Sequence, residues 1–387
     1  MYLDLKTDKR FKMITIQNLT FGGTFSYETP DLPPPPGPYL WSWGRNIYGQ
    51  LGDGTTTDRS SPTQVGALTT WSTLSSGSGS NATGMGIKTD GTLWSWGYNA
   101  YGTLGLGNTT NISSPVQVGA LTTWSSISLS LNTSCAIKTD GTLWSWGSNY
   151  YGQLGLSNTT YRSSPVQVGA LTNWASVSAG QVHTTAIKTD GTLWAWGRNY
   201  NGQLGDGTTT QRNSPVQVGA LTNWSKVAGG NAHSVAIKTN GTLWAWGANN
   251  NGNLGQGNYT YYSSPKQVGA LTTWSGIASS RHNLAIKTDG TLWAWGANYQ
   301  NQLGDGTNND RLSPVQIGAL TTWLRVSAGG YTSMAIKTDG TMWSWGKNQY
   351  GNLGLGNTTN RNSPVQIGTS TAWTSISVGS THALAIG

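Results

Sequence analysis

Seven times along the chain an alternating apolar and small-polar pentad returns, Leu-Trp-Ser/Ala-Trp-Gly, with Met once in place of Leu. It begins at Leu40, Leu93, Leu143, Leu193, Leu243, Leu292 and Met342, at intervals of 53, 50, 50, 50, 49 and 50 residues. Self-similarity at a period of this size marks a propeller or solenoid, in which each unit buries its apolar faces only against its neighbours. Within residues 71–120, segments bounded by Gly, Pro, Asn or Asp predict four strands, at 71–76, 83–88, 92–97 and 115–118. Asp90-Gly91 between alternating runs is a strong hairpin signal, and residues 98–114 form a long connection rich in Gly, Asn, Thr and Tyr.

Residues i and i+2 of a strand share a face, so Trp94 and Trp96 point one way and Leu93 and Ser95 the other. Both faces must pack, the large against a smaller face of the next unit. A buried Trp removes about 150–250 Å² from water, on the order of 4–6 kcal/mol gross before chain entropy is set against it. All 21 tryptophans fall on three registers of the period, the third being Trp71, Trp124, Trp174, Trp224, Trp274, Trp323 and Trp373. Their expected role is architectural.

The chain ends indicate how the array closes. Six Thr-Asp/Asn-Gly hairpins accompany seven pentads, and the missing hairpin falls where the chain begins and ends. Two strands from residues 373–386 and two from residues 40–65 would complete one shared blade and leave no open edge. The expected fold is all-β: a seven-bladed β-propeller of four-stranded blades over residues 39–387, closed by pairing of the N- and C-terminal strands. Residues 1–38 precede it as a leader, with a weakly alternating stretch at 13–25 that suits a small hairpin and a proline run from Pro33 to Pro36 that suits an extended spacer. This leader is expected to dock on the propeller or on a larger assembly.

The repeat also carries a resemblance. From Gly229 to Gly255 the chain follows Gly-Gly-x-x-His-x-x-x-Ile-x-x-Asp-Gly-x-x-x-x-Trp-Gly-x-Asn-x-x-Gly-Gln-Leu-Gly, with Asn240 for the Asp and Asn253 for the Gln. This pattern resembles the regulator of chromosome condensation repeat, and the likeness extends over residues 39–387. The resemblance implies a seven-bladed propeller with a shared closing blade. The functions it implies range from nucleotide exchange on a small GTPase to chromatin, ubiquitin-ligase and general protein-binding roles, and fold alone does not choose among them.

Charged residues make up only 9 % of the chain, and the net charge of +8 belongs to the repeats, since residues 1–38 hold four basic and four acidic groups. Six lysines, Lys88, Lys138, Lys188, Lys238, Lys287 and Lys337, recur beside the hairpins. One cation per unit reads as a diffuse cationic rim rather than the concentrated patch of a nucleic-acid binder, so no specific nucleic acid is expected. No apolar run approaches membrane-spanning length, and charges within residues 1–17 replace a secretory apolar core.

Candidate chemistry is sparse. The lone Cys135 aligns with mostly apolar positions and reads as a buried thiol. His183, His233, His282 and His382 share one register, which distributes them around a ring instead of converging them on a metal. The aspartates are hairpin or turn residues, and the sole glutamate, Glu28, lies in the leader. No carboxylate pair, activated nucleophile or phosphate loop is visible, so neither catalysis nor a cofactor is expected.

Divergence among the repeats concentrates in the loops between third and fourth strands. After each Trp-Gly come Arg45, Tyr98, Ser148, Arg198, Ala248, Ala297 and Lys347, then an unvarying Asn. Asn301, standing where other units have Gly, implies left-handed backbone. Twelve of the 16 tyrosines lie in these loops: Tyr48, Tyr98, Tyr101, Tyr150, Tyr151, Tyr161, Tyr200, Tyr259, Tyr261, Tyr262, Tyr299 and Tyr350. Strand alternation places all such loops on one face. Tyr mixed with Ser, Gly and Asn is a recognition composition, although such rings can also simply cover their own blade. These tyrosines, with Arg45 and Arg198, form the candidate binding surface for a protein or glycan. The expected function is a non-enzymatic recognition or structural module, in a setting such as a phage fibre, virion surface or adhesion protein. The alternatives are a lectin with one sugar site per blade, or a regulatory protein-binding propeller such as a guanine-nucleotide exchange factor.

Overall fold

In residues 71–117 the strands Trp71–Ser76, Thr83–Lys88, Leu93–Gly97 and Ile112–Gln117 pair antiparallel in chain order, and the same sheet recurs five more times. These observations come from a computed structural model, which describes residues 38–79 and 82–387. The expected hairpin and proline spacer of the leader lie outside the described residues. We number the blades 1 (71–117), 2 (124–167), 3 (174–217), 4 (224–267), 5 (274–316) and 6 (323–366). Blade 7 combines Ser375–Val378 and His382–Ile386 with Leu40–Gly44 and Arg59–Gln64, in that order across the sheet. Leu40 pairs with Ile386 and Gly44 with His382, and Tyr39 and Gly387 exchange backbone hydrogen bonds of 3.0 and 3.2 Å. First strands of neighbouring blades touch around the whole circle, including Ser375–Val378 against Trp71–Ser76. The expected seven-bladed ring, closed by its two ends, is the observed fold, and among the described residues no helix forms.

The outer strand of each blade begins earlier than expected, at Ile112 and not at 115 in blade 1. Its register shifts between Ser95↔Val116 and Gly97↔Ile112, a bulge that accommodates Pro115 on an edge where a missing N–H leaves no ladder bond unmade.

Seven apolar clusters occupy the seven seams. In each, the Leu, Ile, Val or Met face of one blade meets two tryptophans of the next; Ile137, Leu143 and Val168 of blade 2, for example, pack on Trp174 and Trp196 of blade 3. Leu40, Leu384 and Ile386 pack in the same way on Trp71 and Trp96. The second pentad Trp is wholly buried in every blade, and its Nε1 donates backward to a loop carbonyl of the preceding blade: Trp146 to Thr103, Trp196 to Gln153 and Trp246 to Gln203, at 2.8–2.9 Å. Thr184 Oγ1 reaches the same Gln153 carbonyl at 2.8 Å, and Ser234 Oγ that of Gln203 at 2.9 Å. Toward the channel, Ser75, Ser128, Ser178, Ser327 and Ser377 each accept, through Oγ, the backbone N–H of a residue in the next blade at 2.8–3.0 Å. Ala228 and Ala278 occupy this register in the other two blades.

The histidines are seam residues. His183 Nε2 bonds Ser234 Oγ at 2.9 Å, His233 Nε2 bonds Asn283 Oδ1 at 2.9 Å and His282 Nε2 bonds Ser333 Oγ at 2.6 Å. Ser234 and Ser333 spend their own protons on backbone carbonyls, so each of those histidines donates through Nε2. At the closing seam the partner register holds Gly84, and neither ring nitrogen of His382 finds a partner among the described residues. A Cβ on Gly84 would lie 2.3 Å from Trp96, so the ring occupies space that Ser134 and Thr184 fill opposite the corresponding tryptophans of their blades. Burial lowers the pKa of His183 and His282 to about 3 and that of His233 and His382 to about 4. Cys135 is fully buried, and burial pushes its thiol up to about 12.

The repeated lysines do not form the expected open cationic rim. Lys188 Nζ sits 3.7 Å from the ring centre of Trp194 and 5.0 Å from that of Trp174, and Lys138, Lys188, Lys238 and Lys337 are buried in this position. Burial lowers the pKa of Lys188, while Asp190 pulls it back up. The adjoining hairpin is a relay: Trp194 Nε1 donates to Thr192 Oγ1 at 2.9 Å, and Thr192 Oγ1 to Asp190 Oδ1 at 2.6 Å. Cation–π attraction therefore absorbs charge that the sequence suggests is displayed.

Two outcomes follow at the seams. Ser178→Ala, which strips the Gly229 amide of its acceptor, is expected to cost about 1–2 kcal/mol in urea unfolding, whereas Ala278→Ser adds the missing acceptor and gains about 0.5–1 kcal/mol. The buried histidines contribute stability that is complete above their unfolded pKa of 6.5 and is lost as pH falls toward their folded values of about 3 and 4. Each then loses up to about 1.4 kcal/mol per pH unit, so the urea midpoint should already drop between about pH 6.5 and pH 5, before carboxylates titrate; a flat midpoint there would contradict neutral burial.

Candidate functional site

Antiparallel alternation carries the loops after first strands and those after third strands to one face, as the pairing of Thr83 with Gly97 shows. The unvarying Asn builds each third-to-fourth-strand loop. Asn149 is fully buried; its Nδ2 donates to the carbonyls of Asn158 and Thr160 at 2.9 and 3.1 Å, and its Oδ1 accepts the Leu154 amide at 2.9 Å. In blades 7, 3 and 5 an aspartate joins this staple and pairs with an arginine: Asp53 with Arg59, Asp206 with Arg212 and Asp305 with Arg311, at 2.6–3.0 Å. Burial works against the charge of Asp206, but hydrogen bonds from Thr208, Arg212 and Asn199 outweigh it and hold the carboxyl below its usual range. Asn301 has φ 63, as expected, matching Gly102 at φ 73, where a Cβ would meet Ser163 Cα at 2.5 Å.

On this frame the tyrosines of one blade pack on those of the next. Tyr48 lies 4.9 Å from Tyr98, Tyr98 6.4 Å from Tyr101 and Tyr101 5.7 Å from Tyr161, an arc across blades 7, 1 and 2. Tyr150 and Tyr151 meet at 4.8 Å, and Arg198 lies over Tyr151 and Tyr200 at 5.2 and 5.0 Å, bridging blades 2 and 3. Arg45 covers Tyr350 at 4.9 Å across blades 6 and 7. Several rings remain open to solvent, Tyr150 at 66 %, Tyr259 at 59 % and Tyr200 at 58 %. Tyr261 hydrogen-bonds Asn250 beside them. Tyr262 stands apart: it opens the outer strand Tyr262–Gln267 and packs into the seam between blades 4 and 5.

Sequence reasoning missed a second contribution to this face, from the loops after first strands. Loop residues from all seven blades, among them Ser78, Leu131, Gln181, Asn231, Arg281, Tyr331 and Thr381, line a cavity of about 320 Å³ at the channel mouth, together with Arg45, Lys347 and Tyr350. Arg281 and Lys347 both lie over Tyr331, at 4.7 and 5.5 Å, and Tyr331 packs on Tyr299 at 5.5 Å. Burial and the Tyr331 hydroxyl raise the pKa of the Tyr299 phenol, while Arg281 opposes them. The available signal was the single 49-residue interval: blade 5 has two residues between Ser279 and His282 where blade 4 has three between Gly229 and His233, and one of the two is Arg281. Among the described residues, no group of three His, Cys, Asp or Glu is placed to hold a metal.

Comparison with known proteins agrees with this architecture. The family described as the regulator of chromosome condensation (RCC1) repeat matches residues 39–83, 90–137, 140–187, 190–237, 240–286, 289–336 and 339–386. The ultraviolet-B receptor UVR8 of Arabidopsis thaliana is 38 % identical over 85 residues, 22 % of this chain and 19 % of that protein. Protein RCC2 of Mus musculus is 40 % identical over 80 residues, 20 % of this chain and 15 % of its own. The matched stretches thus span less than a fifth of these relatives. Among solved structures, Prp20p of Saccharomyces cerevisiae superposes with a TM-score of 0.80 at 19 % identity, covering 91 % of each chain. Human WBSCR16 also gives a TM-score of 0.80, at 20 % identity, covering 91 % of this chain and 99 % of that one. Likeness at such identity concerns the fold.

The loop frame and its exposed rings should separate on mutation. Asn149→Ala is expected to lose about 2–3 kcal/mol in denaturant unfolding, since it removes a buried side chain that holds three backbone partners at once, the buried Leu154 amide among them, while Tyr150→Ala should change stability by less than about 0.5 kcal/mol.

Proposed function

Because the chain belongs to the regulator of chromosome condensation repeat family, we propose that it is a non-enzymatic, protein-binding propeller whose partner docks on the tyrosine- and arginine-rich loop face. The observation that carries this is the contrast between a frame repeated in every blade and a loop face where the repeats diverge and expose Tyr150, Tyr200 and Tyr259. Rigid amphipathic rings beside Asn, Gly and Ser suit protein recognition at small entropic cost. A protein partner is preferred to a glycan or to a role in a virion fibre because relatives of this repeat class bind proteins: Prp20p has binding properties toward Gsp1p and histones, and Kap60 binds it. The regulatory alternative weighed from the sequence is therefore the better-supported one.

The opposite face provides the control. There Leu171 and Leu221, exposed at 46 % and 47 %, recur as single leucines spaced around the ring. Affinity capture followed by quantitative mass spectrometry should recover the same protein with the full chain and with Leu171→Ser/Leu221→Ser. It should lose that protein with Tyr150→Ala/Tyr200→Ala/Tyr259→Ala. The reverse pattern would place the partner on the wrong face for this proposal.

A further inference from the structure

Deepening the protein-binding proposal above, and resting on it, we infer that the channel mouth is a seat for an acidic peptide segment of the partner, held by Arg281 and Lys347 around Tyr331. Both cations lie over one ring, at 4.7 and 5.5 Å, although they come from different blades and different loops. Among the described residues neither has an ion-pair partner, and the ion pairs there, Asp53–Arg59, Asp206–Arg212 and Asp305–Arg311, belong to the outer turns. No carboxylate among the described residues lines the cavity, whereas amide side chains such as Gln181 and Asn231 do. With Arg45 as a third cation on its lining, the mouth concentrates positive potential in a concave site.

The chemistry of the two cations indicates the ligand class. A guanidinium fork suits a bidentate carboxylate, an ammonium adds a point charge, and the Tyr331 ring offers apolar area to the residue between two acidic ones. A nucleic-acid backbone fits less well, because it requires a track of phosphate contacts, and here the three cations, Arg281, Lys347 and Arg45, gather in a single mouth of about 320 Å³.

Fluorescence anisotropy on the full chain, with a labelled peptide of alternating Glu and Tyr, tests the seat. Its counterpart with Gln for Glu and a single-stranded oligothymidylate are the comparison probes. The Glu peptide is expected to bind about tenfold or more tightly than the Gln peptide, to weaken with added salt, and to lose about tenfold in Arg281→Gln/Lys347→Gln but not in Arg361→Gln, a cation of the outer strand. Equal binding of the Glu and Gln peptides, tighter binding of the oligothymidylate, or indifference to the double variant would each overturn the seat. If the double variant still captures the protein that the tyrosine variant loses, the seat fails while the docking face stands. If the tyrosine variant also retains it, both fail.

Discussion

The backward hydrogen bond of the second pentad tryptophan is the constraint on which the rest of the molecule depends. Each ring fills a seam, and each indole N–H fixes the carbonyl of a loop in the preceding blade, from Trp96 on Gln50 to Trp43 on Asn352. Packing and loop placement are therefore one interaction. A blade cannot leave its neighbour without exposing large apolar area and releasing the loop that carries the recognition residues. Because Leu40, Leu384 and Ile386 meet Trp71 and Trp96 like any other pair of faces, this dependence runs around the ring without a free end.

The seams are alike in packing and unequal in polar support. Five loop carbonyls accept a second bond from a side chain of the next blade, as Gln153 does from Thr184 and Asn253 from Asn283. At the two seams that flank blade 7, Gly84 and Ala383 stand in that register and supply no such donor. His382 correspondingly faces no hydroxyl. The closing blade, whose two halves come from opposite ends of the chain, has the fewest polar ties. Arg45, at the start of its long loop, reaches across to Tyr350 of blade 6.

Periodicity was legible because each unit solves the same packing problem with the same residues. Strand order, hairpins, circular closure, the buried Cys135 and the left-handed Asn301 all follow from local pattern. What escaped depends on neighbours far apart in the chain. Lys188 looks like a surface charge until Trp174 and Trp194 are seen around it. Ile112 looks like loop until the bulge about Pro115 draws it into the outer strand. The channel mouth was hidden because its residues arrive one or a few at a time from loops of all seven blades; only a one-residue shortening beside Arg281 marked it. For the tyrosines, sequence placed most of them on one face, whereas the rings that meet across seams, and the seam position of Tyr262, required the assembled sheet.

Hydrogen–deuterium exchange on Trp196→Phe, which keeps the aromatic ring and removes only the indole N–H, tests the coupling of seam to loop. Faster exchange is expected in residues 148–161 of blade 2, whose Gln153 carbonyl keeps Thr184 but loses the indole donor, with little change in the 189–192 hairpin of the mutated blade itself. Unchanged exchange in residues 148–161, or a rise confined to blade 3, would contradict the claim that the tryptophan seams hold the loop face.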